Sequence, residues 1–250
     1  MDRSRLELEP GVWLDAGRAV WLAEYQVLIV ADLHLGYVWA HRADGQLLPI
    51  SAKEDTTERL LALLNRYPAR ELILLGDILH RAVDAPALHT ELRWLILNVG
   101  ERTRLRLIGG NHDRNLASTL AVAGLTMEVD ESLEVGPHLL LHGDGRDEKV
   151  ALDRLRSCTQ RGGRVILGHE HPSIILSDGV ASHAKCPCFL AGPGALILPA
   201  FSAWAAGSPI RDANFLSPYA RASCFDRAVA VLAGKLLPVP VSCAGGGNRA

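Results

Sequence analysis

Four consecutive residues, Gly110, Asn111, His112 and Asp113, put an amide oxygen, an imidazole and a carboxylate on one short turn. The run before them, Arg104 to Ile108, reads as a strand, and Arg114 to Ala121 reads as the start of a helix. The turn therefore belongs at the carboxyl end of a strand, where open α/β sheets bind ligands. Alone, the tetrapeptide specifies no reaction. Its weight comes from four further polar groups, each following an apolar strand-like run. Asp32 and His34 follow Val27 to Val30, and Asp77 follows Glu71 to Leu75. His142 closes the run from His138, and His169 and His171 follow Arg164 to Leu167. Strand alternation predicts that Asp32 and His34 point to the same side. The collected set is four imidazoles, two carboxylates and one amide oxygen. Such donors suit two first-row divalent ions that share one carboxylate. A single histidine at a strand end is ordinarily a surface or core residue; five polar clusters in succession are not explained that way.

The elements that must position these groups are legible in the hydrophobic pattern. Trp13, Val20-Trp21 and Val27 to Val30 read as successive strands, the last buried on both faces because it is continuously apolar. Residues 37–50 read as a loop carrying His41, Arg42, Gly45 and Pro49. Ser51 and Glu54 form a capping box for a helix that runs to Arg66. A second helix is expected from Pro86 to Val99, with Pro in its first turn. Short strands are expected at Leu125 to Val129 and Leu133 to Val135, and a polar helix at Glu148 to Arg156. The remainder reads as a β-rich second half. One domain is expected over residues 1–244, with a mobile tail at 245–250.

Composition narrows the class. The chain has 250 residues, 48% of them apolar, which is enough for a large core. A formal net charge of -2 does not mark a nucleic-acid binder, although a local basic face would matter more than the sum. Arginine supplies 22 of the 26 basic residues, and guanidinium forks suit phosphate contacts. Five cysteines, an odd number, and a start without an apolar segment argue against a disulfide framework and for a soluble cytoplasmic protein without a membrane span. Cys186-Pro-Cys188 is half a zinc site at best.

The series D-x-H, G-D, G-N-H-D, a solitary His and G-H-x-H resembles the calcineurin-like metallophosphoesterases. Its five elements stand here at Asp32–His34, Gly76-Asp77, Gly110–Asp113, His142 and Gly168–His171, in the family's order. The resemblance implies a four-layer α/β/β/α sandwich of two mixed sheets flanked by helices. It implies that Asp32, His34 and His171 hold a first ion and Asn111, His142 and His169 a second. Asp77 would bridge them, with manganese the foremost metal and iron or zinc compatible. His112 would face the scissile phosphate as proton donor, Asp113 would orient it, and Arg42 and Arg114 are assigned to the substrate phosphate.

Within the superfamily, Gly76 to Ala82 and Gly110 to Asp113 depart from the G-D-x-x-D-R-G and G-N-H-E of the Ser/Thr phosphatases. A nearer resemblance is to the small bacterial ligase-associated metallophosphoesterases described as DNA damage response endonucleases. It rests on Asp32 to Gly36, Gly76 to His80, Gly110 to Arg114, Gly168 to Pro172 and Leu198 to Phe201. That branch implies a DNA substrate and DNA-repair helicase or ligase partners. The alternative activity is hydrolysis of a small nucleotide, cyclic nucleotide or phosphomonoester by the same site. A scaffold that has lost the reaction predicts a damaged ligand set, and none of the seven positions is damaged.

Overall fold

The computed structural model describes residues 3–241 except 47, 49–55, 84, 178, 180–182 and 211–213. The first sheet contains β1 (Arg5–Glu9), β2 (Val12–Asp15), β3 (Ala19–Leu22), β4 (Val27–Ala31), β5 (Glu71–Leu75), β6 (Arg104–Ile108) and β7 (Val129–Asp130), side by side in chain order. The β4, β5 and β6 strands run parallel. The second sheet contains β8 (Ser132–Val135), β9 (His138–Leu141), β10 (Val165–Leu167), β11 (Pro172–Ser177), β12 (His183–Ala191), β13 (Ala195–Ile197) and β14 (Ser208–Pro209), with β15 (Arg227–Leu232) and β16 (Lys235–Pro240) added through β12. At its centre β9, β10 and β13 run parallel.

Alternation assigns the two faces of each sheet. Val27, Ile29 and Ala31 of β4 pack with Ile73 and Leu75 of β5 against Leu140, Ile166, Phe189 and Leu196 of the other sheet. Leu28, Val30, Leu72 and Leu74 point the other way, onto the helices α2 (Thr56–Arg66), α3 (Pro86–Gly100) and α4 (Leu116–Val122). Leu139, Leu141, Val165 and Leu167 of the second sheet cover α5 (Glu148–Gln160) and α6 (Pro218–Arg221). The order is therefore helix, sheet, sheet, helix, the expected sandwich. Central strands are apolar throughout because both of their faces are covered.

Several local expectations change. Residues Tyr37–Ala43 form a helix, α1, rather than loop; its N-cap, Gly36, sits at φ 76° and no side chain caps it, so the usual sequence cue is missing. The expected strand at 125–129 shrinks to β7, and α5 runs four residues past Arg156. Ahead of the expected strands lies a further one, the half-exposed β1. Ser51 and Glu54, and the tail 245–250, lie outside the described residues. Cys224 is disulfide-bonded, which the odd count gave no reason to expect. Cys158, Cys186 and Cys188 are free and buried. Burial pushes the Cys186 thiol up and the Cys188 thiol up to about 12, and both are packed within the core of the second sheet. No described helix is long and apolar enough to cross a membrane.

Candidate metal centre

Each proposed ligand leaves the sheet at the same edge. The two sheets are joined there by a parallel bridge between Ala31 and Ala200 and by the Phe201 amide donating to the Ala31 carbonyl at 2.7 Å. Beyond the strands the ladder bonds continue into the turns. Asp32 N donates to Gly76 O (3.1 Å), His34 N to Asp77 O (2.9 Å), Gly76 N to Ile108 O (3.0 Å) and Gly168 N to His142 O (3.2 Å). These bonds fix the turns while the chain reverses sharply. Asp32 (φ 57°), His34 (48°), Asp77 (46°), His169 (67°) and His171 (44°) are all left-handed, five of the eight described non-glycine residues with positive φ. Such a conformation costs roughly 1–3 kcal/mol per residue and clusters where function over-determines it. Strand alternation is thus not what aligns Asp32 with His34: β4 ends at Ala31, and two left-handed residues re-aim the side chains.

The turns bring the donors together as two groups with one member in common. Ligand atoms of Asp32, His34, Asp77 and His171 all lie within 4.8 Å of one another, as do those of Asp77, His142 and His169. Asn111 joins the second group, its Oδ1 3.2 Å from His142 Nε2. Within the first group His34 Nε2 is 3.1 Å from His171 Nε2, and His171 Nε2 is 3.4 Å from Asp32 Oδ1. Within the second, His142 Nε2 stands 3.3 Å from Asp77 Oδ1 and 3.2 Å from His169 Nδ1. Asp32 ties the sheets together at this point by accepting the His169 amide at 3.1 Å.

This donor set fits divalent cations. The imidazole nitrogens that face one another at 3.1–3.2 Å share a hydrogen bond when one of each pair carries the proton, and with both unprotonated they converge on a common cation. The Nδ1 atoms of His34 and His142 are buried without a hydrogen-bond partner among the described residues. Ligation also needs neutral imidazoles. Burial drives His34 down to about 4 and lowers His169. Burial also disfavours a charge on His142, but the hydrogen bond to Asp77 and the charge of Asp32 prevail and raise it to about 9. Asp77 is held well below the usual carboxylate range: burial opposes its ionisation, and the His142 contact and the His112 amide overcome that.

Two glycines make room for this crowding. A Cβ on Gly76 would fall on the His142 ring. A Cβ on Gly110 would strike both Oδ1 and the backbone nitrogen of Asp77. The latter neighbour is a backbone that cannot swing aside. Gly110→Ala is therefore expected to displace Asp77 and to lower metal occupancy and turnover together, with the fold retained by circular dichroism. Elemental analysis of the purified variant checks it, and full metal content would contradict the packing argument.

Three residues have roles that the sequence did not reveal. His112 Nδ1 lies 2.5 Å from the carbonyl oxygen of His80 and so donates to it; this leaves Nε2, 3.9 Å from Asp77 Oδ2, facing the cluster. His80 is therefore the partner of the His112 ring, and Asp113 is not. The Asp113 oxygens instead accept the amides of Leu79 (2.9 Å), Gly110 (3.0 Å) and Ile78 (3.1 Å). Both oxygens are engaged by backbone, and they hold the Asp77 turn against the Asn111 turn. Glu170, the middle residue of G-H-x-H, is likewise buried and accepts the Ser217 amide at 2.5 Å. Asp113→Ala would strand three amides, two of them on buried residues. A loss of about 2–5 kcal/mol in unfolding free energy is expected by denaturant titration, since each unsatisfied group costs roughly 1–3 kcal/mol. Asp113→Asn, which keeps one acceptor oxygen, should recover part of that loss. Of the two arginines assigned to phosphate, Arg42 donates to Leu48 O (3.0 Å) and lies 5.5 Å from the centroid of the Trp39 ring. Arg114 is exposed and makes no hydrogen bond or ion pair among the described residues.

Residues 25–204 match the calcineurin-like phosphoesterase superfamily domain, and the chain belongs to that superfamily. It is a metal-dependent phosphoesterase. Among solved structures, that of Pseudomonas putida nuclease MPE is similar, with 26% identity, a TM-score of 0.66, and 95% of this chain and 100% of that chain covered. No curated protein sequence matches.

Proposed function

We propose that the protein is a manganese-dependent phosphodiesterase that cuts DNA strands at a two-ion centre. The observation that carries this reading is the membership of Asp77 in both donor groups at a single sheet edge. In the proposed centre Asp32, His34 and His171 would hold one ion, Asn111, His142 and His169 the other, and Asp77 would be shared by both. Ions so placed would lower the pKa of a water and neutralise the phosphoryl oxygens. His112 is the proton donor to the leaving oxygen. Its Nδ1–H is engaged by the His80 carbonyl, which fixes the tautomer and leaves Nε2 to carry the transferable proton. Asp113 supports the reaction through the backbone of both ligand turns. Arg114, beside His112 and exposed, and Arg42, whose guanidinium also meets Leu48 O and the Trp39 ring, are the phosphate-contacting cations. A solved nuclease structure that is similar over 95% of this chain supports a nucleic-acid substrate, and the choice of DNA rests on the motif resemblance given above.

The test is a substrate panel with the manganese-loaded protein: an aryl phosphodiester, an aryl phosphomonoester, cyclic nucleotides, and single-stranded and duplex DNA. Cleavage of DNA and of the aryl diester is expected, with DNA cleavage weakening steeply as salt rises because phosphate contacts release counterions. Activity confined to the monoester or to cyclic nucleotides would replace the proposal with the small-molecule reading.

A further inference from the structure

Beside the first donor group lies an open cleft of about 520 Å³, within the range of small-ligand sites. It shares a wall with the metal centre, because His34 lines both. Its other walls come from the start of α1 (Tyr37 and Trp39), from α3 (Glu91 and Trp94) and from the segment carrying Trp204. Aromatic rings lead into it from the reactive centre. His112 stacks on His80 (centroids 5.7 Å apart), His80 meets Tyr37 (4.6 Å), and Tyr37 stacks on Trp204 (5.6 Å, interplanar angle 8°). At the far side Trp94 is 58% exposed, an unusual position for so large an apolar surface.

The chemistry of these walls selects a flat, uncharged, partly polar occupant. Among the described residues no lysine or arginine lines the cleft, and Glu91 would repel a phosphate. Thr56, Thr90 and Ser202 add hydroxyls among the aromatic faces, which an aliphatic chain could not use. A heteroaromatic ring with hydrogen-bonding edges satisfies both features. Resting on the phosphodiesterase reading above, we propose that this cleft receives one unpaired nucleobase of the strand whose neighbouring phosphate lies at the metal centre. Stacking on aromatic side chains tolerates every base, so the cleft would impose single-strandedness near the cut rather than a sequence. A base held in a duplex is not free to enter.

Two esters with the same leaving group isolate the effect: thymidine 5′-(p-nitrophenyl phosphate), which carries a base, and methyl p-nitrophenyl phosphate, which carries none. With the manganese-loaded full chain the thymidine ester is expected to have a KM lower by about 5- to 150-fold, the worth of one stacked base. Trp94→Ala and Trp204→Ala should each shrink that ratio, and Trp204→Phe should keep most of it. Trp94 is on the surface, so its variant tests the cleft even if Trp204→Ala is unstable. Equal KM values for the two esters, or a ratio left unmoved by Trp94→Ala, would overturn the base site and leave the phosphodiesterase reading standing. Hydrolysis of neither ester by the metal-loaded protein would overturn both.

Discussion

Asp77→Asn is expected to abolish turnover and to lower the metal content of the protein. The reason is the number of things one carboxylate does here. Its Oδ1 accepts the His112 amide at 3.0 Å and stands 3.3 Å from His142 Nε2; its Oδ2 stands 4.0 Å from His34 Nε2 and 3.9 Å from His112 Nε2. One oxygen thus faces the second donor group and the other faces the first. Replacement by an amide removes one of the two carboxylates among the seven donors and leaves only one oxygen, so one group must lose its anionic member. Hard divalent ions depend on that charge. The side chain is nearly isosteric and buried, so little change of fold accompanies the substitution. Elemental analysis before and after dialysis against manganese, paired with diesterase assays at saturating metal, provides the test. A variant with two ions per chain and ordinary turnover would show that Asp77 is not the shared ligand. Cys186→Ser serves as the control: its thiol is buried in the second sheet, away from the donor groups, and turnover should stay near that of the parent.

The donors themselves were legible in the sequence for a physical reason. A parallel strand covered on both faces is a continuous apolar run, and a ligand turn at its carboxyl end breaks that run with glycine and a polar residue. Glu71 to Leu75 and Arg104 to Ile108 end in this way, Val27 to Ala31 runs directly into Asp32, and the three do lie side by side and parallel. What the sequence concealed was carried by backbone. Asp32 and His34 have the spacing of a strand but left-handed angles, and nothing in D-x-H distinguishes the two. Asp113 stands next to His112 in the chain, which made it the natural partner of the imidazole; three amides from two turns claim its oxygens instead. The true partner of the ring is a main-chain carbonyl, and any residue at position 80 could have supplied one. The α1 helix, started by a left-handed glycine without a side-chain cap, was silent for a related reason.

The His80 carbonyl shapes what is expected of His112→Ala. Turnover should fall by ~10²–10⁴, the range for loss of a positioned proton donor, while both ions are retained. His112 can donate through Nε2 alone, since Nδ1 is committed to His80, and the ring is fixed in place by that bond and by its stacking on the His80 ring. The competing role is ligation: atoms of His34, His80 and His112 also lie within 4.8 Å of one another. That group has no carboxylate and borrows His34 from a group that already holds two, so it is the poorer site for a hard ion. The two roles separate in the variant. A ligand's loss removes metal and slows every substrate alike. A donor's loss leaves the metal and slows each substrate according to its leaving group, because a poor leaving oxygen needs the proton and a nitrophenolate does not. A series of phosphodiesters with leaving groups of graded acidity should therefore show the steepest losses for alkyl leaving groups and the smallest for nitrophenyl. A flat series accompanied by metal loss would move His112 from proton donor to ligand.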